Sequence, residues 1–129
     1  MIHGIGTDLL LMARAERVWQ RHGARFAERI LMPEERARMP EGERAGRYLA
    51  KHFAMKEAFV KALGTGFRDG VTHHDAGYVQ AGNGRPSLIV SAAMRARFDA
   101  LGITGGHVSL SDEDGRVLAF VVLERATVK

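Results

Sequence analysis

Apolar and polar positions along the 129-residue chain change period several times, and each change marks an element. Residues 1 to 8, MIHGIGTD, set Ile2 and Ile5 beside Gly4 and Gly6 and read as a short strand whose glycines leave room for another backbone. From Leu9 to about Arg21, apolar Leu11, Ala15 and Val18 recur at helical spacing. Residues 24 to 31, ARFAERIL, add another helical turn or two, with Phe26 and Ile30 four apart as a packing pair. Pro33 suits the first position of a short helix through Glu34, Glu35 and Arg36, and Pro40 and Gly42 end it. A long helix follows from about Glu43 to Leu63, with Tyr48, Leu49, Phe53, Val60 and Leu63 as its buried stripe and Gly64 as its stop.

Beyond the Gly64-Thr65-Gly66 turn, residues 67 to 75 read as a loop whose adjacent His73 and His74 lie on the surface. Residues 76 to 82 and 85 to 90 read as a hairpin around Asn83-Gly84, where both turn positions tolerate positive φ. Ser91 caps a helix through Leu101 that turns Met94, Phe98 and Leu101 inward and closes at Gly102. Residues 106 to 112 and 116 to 124 form a second hairpin over Asp114-Gly115. The last of these strands is apolar at both alternating sets of positions, which predicts burial on both sides and shelter for the neighbouring row of His107, Ser109 and Ser111. This order predicts an α+β fold in one domain spanning 1–129, an antiparallel sheet of hairpins packed on a long central helix.

Composition narrows the chemistry. The chain has no cysteine, so disulfides, thiolate metal sites and cysteine nucleophiles are excluded. No apolar run approaches the roughly 18 residues of a membrane span, and no basic leader precedes an apolar segment, so a cytoplasmic protein with no membrane partner is expected. A formal charge of +4 points to an anionic partner. Arginine is the default cation, yet three of the four lysines, Lys51, Lys56 and Lys61, fall within 11 residues, a placement suited to phosphate oxygens.

Glu57 and Lys61 share one face of the long helix, with Lys56 to one side. They make either an ordinary intrahelical ion pair or a carboxylate and a cation aimed at one anionic ligand. Asp8, where the first strand runs out, is either a helix cap or a second site carboxylate. Arg14, Arg17, Arg21 and Arg25 recur at spacings of three, four and four, a basic stripe that is either solvated or a docking surface for an acidic partner. His107 is either a buried, hydrogen-bonded histidine or a site group.

Three separated patterns, GIGTDLL at 4–10, FAMKEAFVKALGTG at 53–66 and HVSLSD at 107–112, stand in order together with RFAERIL at 25–31 and NGRP at 83–86. In these the chain resembles the small bacterial holo-[acyl-carrier-protein] synthases of the 4′-phosphopantetheinyl transferase family, essentially from end to end. The resemblance implies Mg²⁺-dependent transfer of the phosphopantetheine arm of coenzyme A to a serine of apo acyl carrier protein, releasing adenosine 3′,5′-bisphosphate. It assigns Asp8 and Glu57 to Mg²⁺, and Lys61 with the Gly64, Thr65 and Gly66 turn to phosphate. Lys56 and His52 join the coenzyme A contacts, and His107 joins the catalytic group. The proton acceptor is left open among His107, a water and Glu57. Arg14, Arg21, Arg25 and Phe26 become candidates for docking the acidic carrier, of fatty acid synthesis, a polyketide pathway or both. The family's trimers bind coenzyme A between subunits, so Asn83, Arg85 and Pro86 are expected to complete a neighbour's site. His52 departs from the arginine common before this phenylalanine, which predicts weaker or more pH-dependent coenzyme A binding. Two competing readings are a small nucleic-acid-binding domain, for which no motif is present, and an idle coenzyme A binder.

Overall fold

The computed structural model describes residues 1–127. Strand β1 (Ile2–Leu11) leads into helices α1 (Met12–His22), α2 (Ala24–Ile30), α3 (Pro33–Arg36) and the long α4 (Arg44–Leu63). Strands β2 (Ala76–Gln80) and β3 (Pro86–Val90), helix α5 (Ala92–Leu101), and strands β4 (Ile103–Glu113) and β5 (Arg116–Arg125) complete the order. The α+β class holds, but the strands divide: β1, β5 and β4 form one antiparallel sheet with β5 central, and β2 and β3 form a separate ribbon.

The sheet packs on α4 through its inner face. Val117, Ala119, Val121 and Leu123 of β5 are all buried against Ala54, Met55, Ala58 and Ala62. Small residues on α4 bring the helix close to the sheet, and β1 closes the gap completely. A Cβ on Gly4 or Gly6 would collide with the carbonyl oxygen of Ala62 or Ala58, so only glycine lets the strand backbone rest on the helix backbone.

Several elements depart from expectation in a physical way. Strand β1 continues to Leu11, three residues past Asp8, because β5 pairs along its whole length as far as Leu11 with Arg116. Asp8 is therefore a strand residue and not a helix cap. Leu101, placed inward by spacing, is 43% exposed, since α5 ends there in the left-handed Gly102. The Asn83-Gly84 turn is not a two-residue hairpin. Only Gly84 has positive φ, the Gly84 N–H bonds the Ala81 carbonyl and the loop closes from Ala81 to Arg85, which accommodates an ordinary turn followed by a left-handed glycine. The Asp114-Gly115 turn does have both residues at positive φ.

The expected two-sided burial of β5 is also corrected. Leu118 and Phe120 lie on the outer face and are 44% and 38% exposed. The register sets Ile5, Thr7, Leu9 and Leu11 of β1 and His107, Ser109 and Ser111 of β4 on that same outer face. Alternation identifies the two faces, but not what covers them.

Candidate active site

Asp8 belongs to the inner face of β1, aimed at α4, because the residues two and four before it are the glycines on which the helix rests. Glu57 meets it from α4. The two carboxylates line a cleft of about 280 Å³ whose walls are Arg14, Val18, Phe26 and Phe53. Burial and the Asp8 charge push the Glu57 carboxyl above the usual carboxylate range, with Lys61 opposing. Lys61 Nζ donates to the Thr7 carbonyl at 2.9 Å and lies 3.5 Å from Asp8 Oδ1. Strand and helix thus present two converging carboxylates with one cation beside them, an arrangement suited to a divalent cation next to an anionic ligand.

Helix α4 ends where the glycines follow it. Gly64 is left-handed with φ of 94°, and the N–H groups of Gly64 and Gly66 both turn back to Val60 O. Thr65 Oγ1 donates to the Gly66 carbonyl at 2.7 Å. The turn lies one helical turn past Lys61.

Two of the four docking candidates line the same cleft. Arg14 and Phe26 form part of its wall, and Phe26 and Phe53 are shared with a neighbouring groove of about 640 Å³ that also includes Arg25 and His73. Arg21 lies with Arg14 and Arg17 on the outer surface of α1. His73 is half-buried, not a surface residue: it stacks on Phe67 at 4.0 Å, and burial with nearby cations pushes it down to about 4. His74 stays exposed, as expected.

His107, Asn83, Arg85 and Pro86 are not brought to the two carboxylates within this chain. His107 is 71% exposed on the outer sheet face, where its Nε2 meets Glu124. Asn83 and Arg85 occupy the loop of the ribbon and Pro86 begins β3, with Asn83 Oδ1 accepting from the Arg85 N–H at 3.0 Å.

Lys56, expected at a phosphate, is turned inward instead. At 1% exposure its Nζ donates to Glu35 Oε1 at 2.7 Å and to the Ala76 carbonyl at 2.6 Å. Glu35, fully buried on α3, also accepts from the Met32 and Tyr78 N–H groups at 2.9 and 3.1 Å and from His52 Nδ1 at 2.5 Å. Its carboxyl is held below the usual range by His52 and Lys56 in spite of burial. This network ties α3, α4 and β2 together. Nothing in the spacing from Glu35 to His52 and Lys56 announces it, since the three meet only once α3 folds back on α4.

Above the network lies a second cleft of about 490 Å³, lined by Arg38, Arg44, Arg47, Lys51, Tyr48 and His52 among others. Asp112 of β4 bridges Arg47 and Lys51 at 2.9 and 3.2 Å, fixing one wall. Of the groups lining it, Lys51 and His52 stand out in the sequence, whereas Arg38, Arg44 and Arg47 belong to no motif there.

Residues 4–120 match the family model of the 4′-phosphopantetheinyl transferase superfamily. A holo-[acyl-carrier-protein] synthase of Halorhodospira halophila is 50% identical over 123 residues, 95% of this chain and 98% of that protein. The crystal structure of the Neisseria meningitidis holo-[acyl-carrier-protein] synthase superposes with a TM-score of 0.90 at 42% identity, covering 97% of this chain and 100% of that one. The Helicobacter pylori synthase, solved in complex with coenzyme A, superposes with a TM-score of 0.81 at 28% identity over 93% of this chain and 99% of that one.

Proposed function

The chain belongs to the 4′-phosphopantetheinyl transferase superfamily, among its holo-[acyl-carrier-protein] synthases, and we propose that it transfers phosphopantetheine from coenzyme A to a serine of an apo acyl carrier protein. Adenosine 3′,5′-bisphosphate is the second product. The observation that carries this reading is the pairing of Asp8 with Glu57 in a cleft that Arg14 and Phe26 also line. A nucleic-acid reading finds no support of this kind, because no nucleic-acid-binding motif is present and the family model that matches residues 4–120 is a transferase one.

The residues present fit Mg²⁺. Asp8 and Glu57 face one cleft, so the protein would supply two carboxylates and leave the other positions to phosphate and water, as this cation prefers. Bound there, the metal would offset the charge that builds on the departing adenosine 5′-phosphate as the bridging P–O bond within the pyrophosphate breaks. Asp8 and Glu57 would hold it. Lys61 neutralises a phosphate oxygen next to them, and the Gly64 to Gly66 turn offers close backbone approach. The arginines of α1 and α2 orient the acidic carrier so that its serine faces the cleft. The candidates for taking the serine proton are Glu57, a water in the cleft and, from a neighbouring subunit, His107.

The remaining candidates support assembly. Ile5, Leu9, Leu118 and Phe120 make an exposed apolar sheet face of the kind that other copies cover. In a homotrimer, His107 and the Asn83 to Pro86 segment would reach a neighbour's cleft. The basic cleft at Arg44, Arg47, Lys51 and His52 takes the nucleotide phosphate of coenzyme A. The chain acts as one domain, and no helix among the described residues is long and apolar enough to cross a membrane, in keeping with a cytoplasmic enzyme.

Incubation with coenzyme A, Mg²⁺ and apo carrier tests the proposal. Mass spectrometry should show one phosphopantetheine added to the carrier, lost in Asp8→Ala, in Glu57→Ala and in EDTA. An unmodified carrier in the presence of the folded wild-type protein would refute it.

A further inference from the structure

His52 is held more tightly than a spacer residue requires. Its ring is 2% exposed and stacks on Tyr78 at 4.1 Å with 3° between planes, while Tyr48 packs at 4.1 Å from the other side. The Nδ1–H donates to Glu35 Oε2 at 2.5 Å, so the ring cannot rotate without losing a buried bond. Its other nitrogen, Nε2, bonds to none of the described residues, and the ring forms part of the floor of the basic cleft. An imidazole backed by a carboxylate on one nitrogen and open to an anion site on the other is arranged to take up a proton when an anion arrives.

The surrounding charges decide when that happens. Glu35 of α3 favours the charged ring, whereas burial and the Lys56 and Lys51 charges of α4 outweigh it and lower the affinity of His52 for a proton. Arg38, Arg44 and Arg47 line the same cleft and act in the same sense as the lysines, and Asp112 of β4 partly offsets Arg47 and Lys51. Tyr48 and Tyr78 carry no charge, since burial pushes both phenols up. The empty cleft therefore holds His52 neutral, and a phosphate dianion among the cations reverses the balance.

We propose that His52 is a proton-linked phosphate-binding residue: a phosphate monoester enters the basic cleft together with one proton from solvent, which is carried on His52 Nε2 and donated to a phosphate oxygen. This rests on the transferase reading, in which that monoester is the 3′-phosphate of coenzyme A. It also gives the arginine-to-histidine departure a function, since a permanently charged side chain in this place would bind phosphate without proton uptake.

Calorimetric titration of the full chain with coenzyme A near pH 8, in buffers of different ionisation enthalpy, reads the proton directly. The wild type should take up a sizeable fraction of one proton, and its affinity should fall by up to about tenfold per pH unit on the alkaline side. His52→Asn keeps a donor toward Glu35 but removes Nε2, and should bind more weakly and without uptake. His52→Arg should bind without uptake and with a flat pH profile, and it keeps the test decisive if the asparagine variant proves unstable by thermal melting. 3′-Dephospho-coenzyme A should cause no uptake in the wild type. Wild-type binding without uptake, uptake that persists in either variant, or equal uptake with the dephospho compound would overturn the proposal. If the wild type binds no coenzyme A at all, the transferase reading itself fails, and this proposal with it.

Discussion

Glu57 stands between a like charge, Asp8, and an opposite one, Lys61, and the first prevails together with burial. A carboxyl raised in the folded state contributes stability below the ordinary carboxylate range, and that contribution is lost as pH rises through the folded value. Asp8→Asn should therefore lower the Glu57 pKa and, in metal-free protein near neutral pH, raise stability by less than about 1 kcal/mol, because water reaches both groups. Transfer should nevertheless be abolished; NMR titration and urea unfolding, run beside the carrier assay, check the two halves. Glu35 behaves oppositely. Its lowered carboxyl contributes stability above the ordinary range, which is lost as pH falls through the folded value. Glu35→Gln strands Lys56 in the interior and should cost about 3 kcal/mol, whereas the double variant with Lys56→Met should cost less than the two single changes together, as double-mutant unfolding would show. In the sequence, Asp8, Glu57 and Lys61 stand out by type, but each keeps an ordinary structural alternative until the three motifs are read together. The inward turn of Lys56 is not legible there, since its acceptors Glu35 and Ala76 come from elements 20 residues or more away.

Helix α4 carries two clefts that open on different elements: Glu57 faces β1 and α1, and Lys51 and His52 face the ribbon. What positions the first is the glycine contact of β1. Gly6→Ala should force strand and helix apart, costing about 2 kcal/mol or more by overpacking and separating Asp8 from Glu57. Urea unfolding would read the stability loss, and a fall in kcat beyond the unfolded fraction would read the geometry. The elements themselves were largely legible, for the 3.6-residue period of α4, the Ser91 cap and the Asp114-Gly115 turn are local signals. The end of β1 and the division into two sheets were not. Both depend on how far β5 pairs, and that is decided by partners distant in sequence.

The whole molecule has two contrasting surfaces, a basic side formed by α1 and α2 and an apolar outer sheet face. Arg14→Glu should raise the KM for the carrier tenfold or more while leaving that for coenzyme A unchanged, measured by varying one substrate at a time. Phe120→Glu places a charge in the middle of the apolar face and should convert the proposed trimer to monomers, seen by analytical ultracentrifugation, with loss of transfer. That face eluded the sequence because alternating apolar residues announce burial without saying by what. It also makes amount a thermodynamic variable. If folded monomers can cover Leu9, Leu118 and Phe120 only with one another, dilution withdraws stabilisation by mass action, and the melting temperature should climb with protein concentration. Expression level would then set how much enzyme survives heat, beyond setting how much is made.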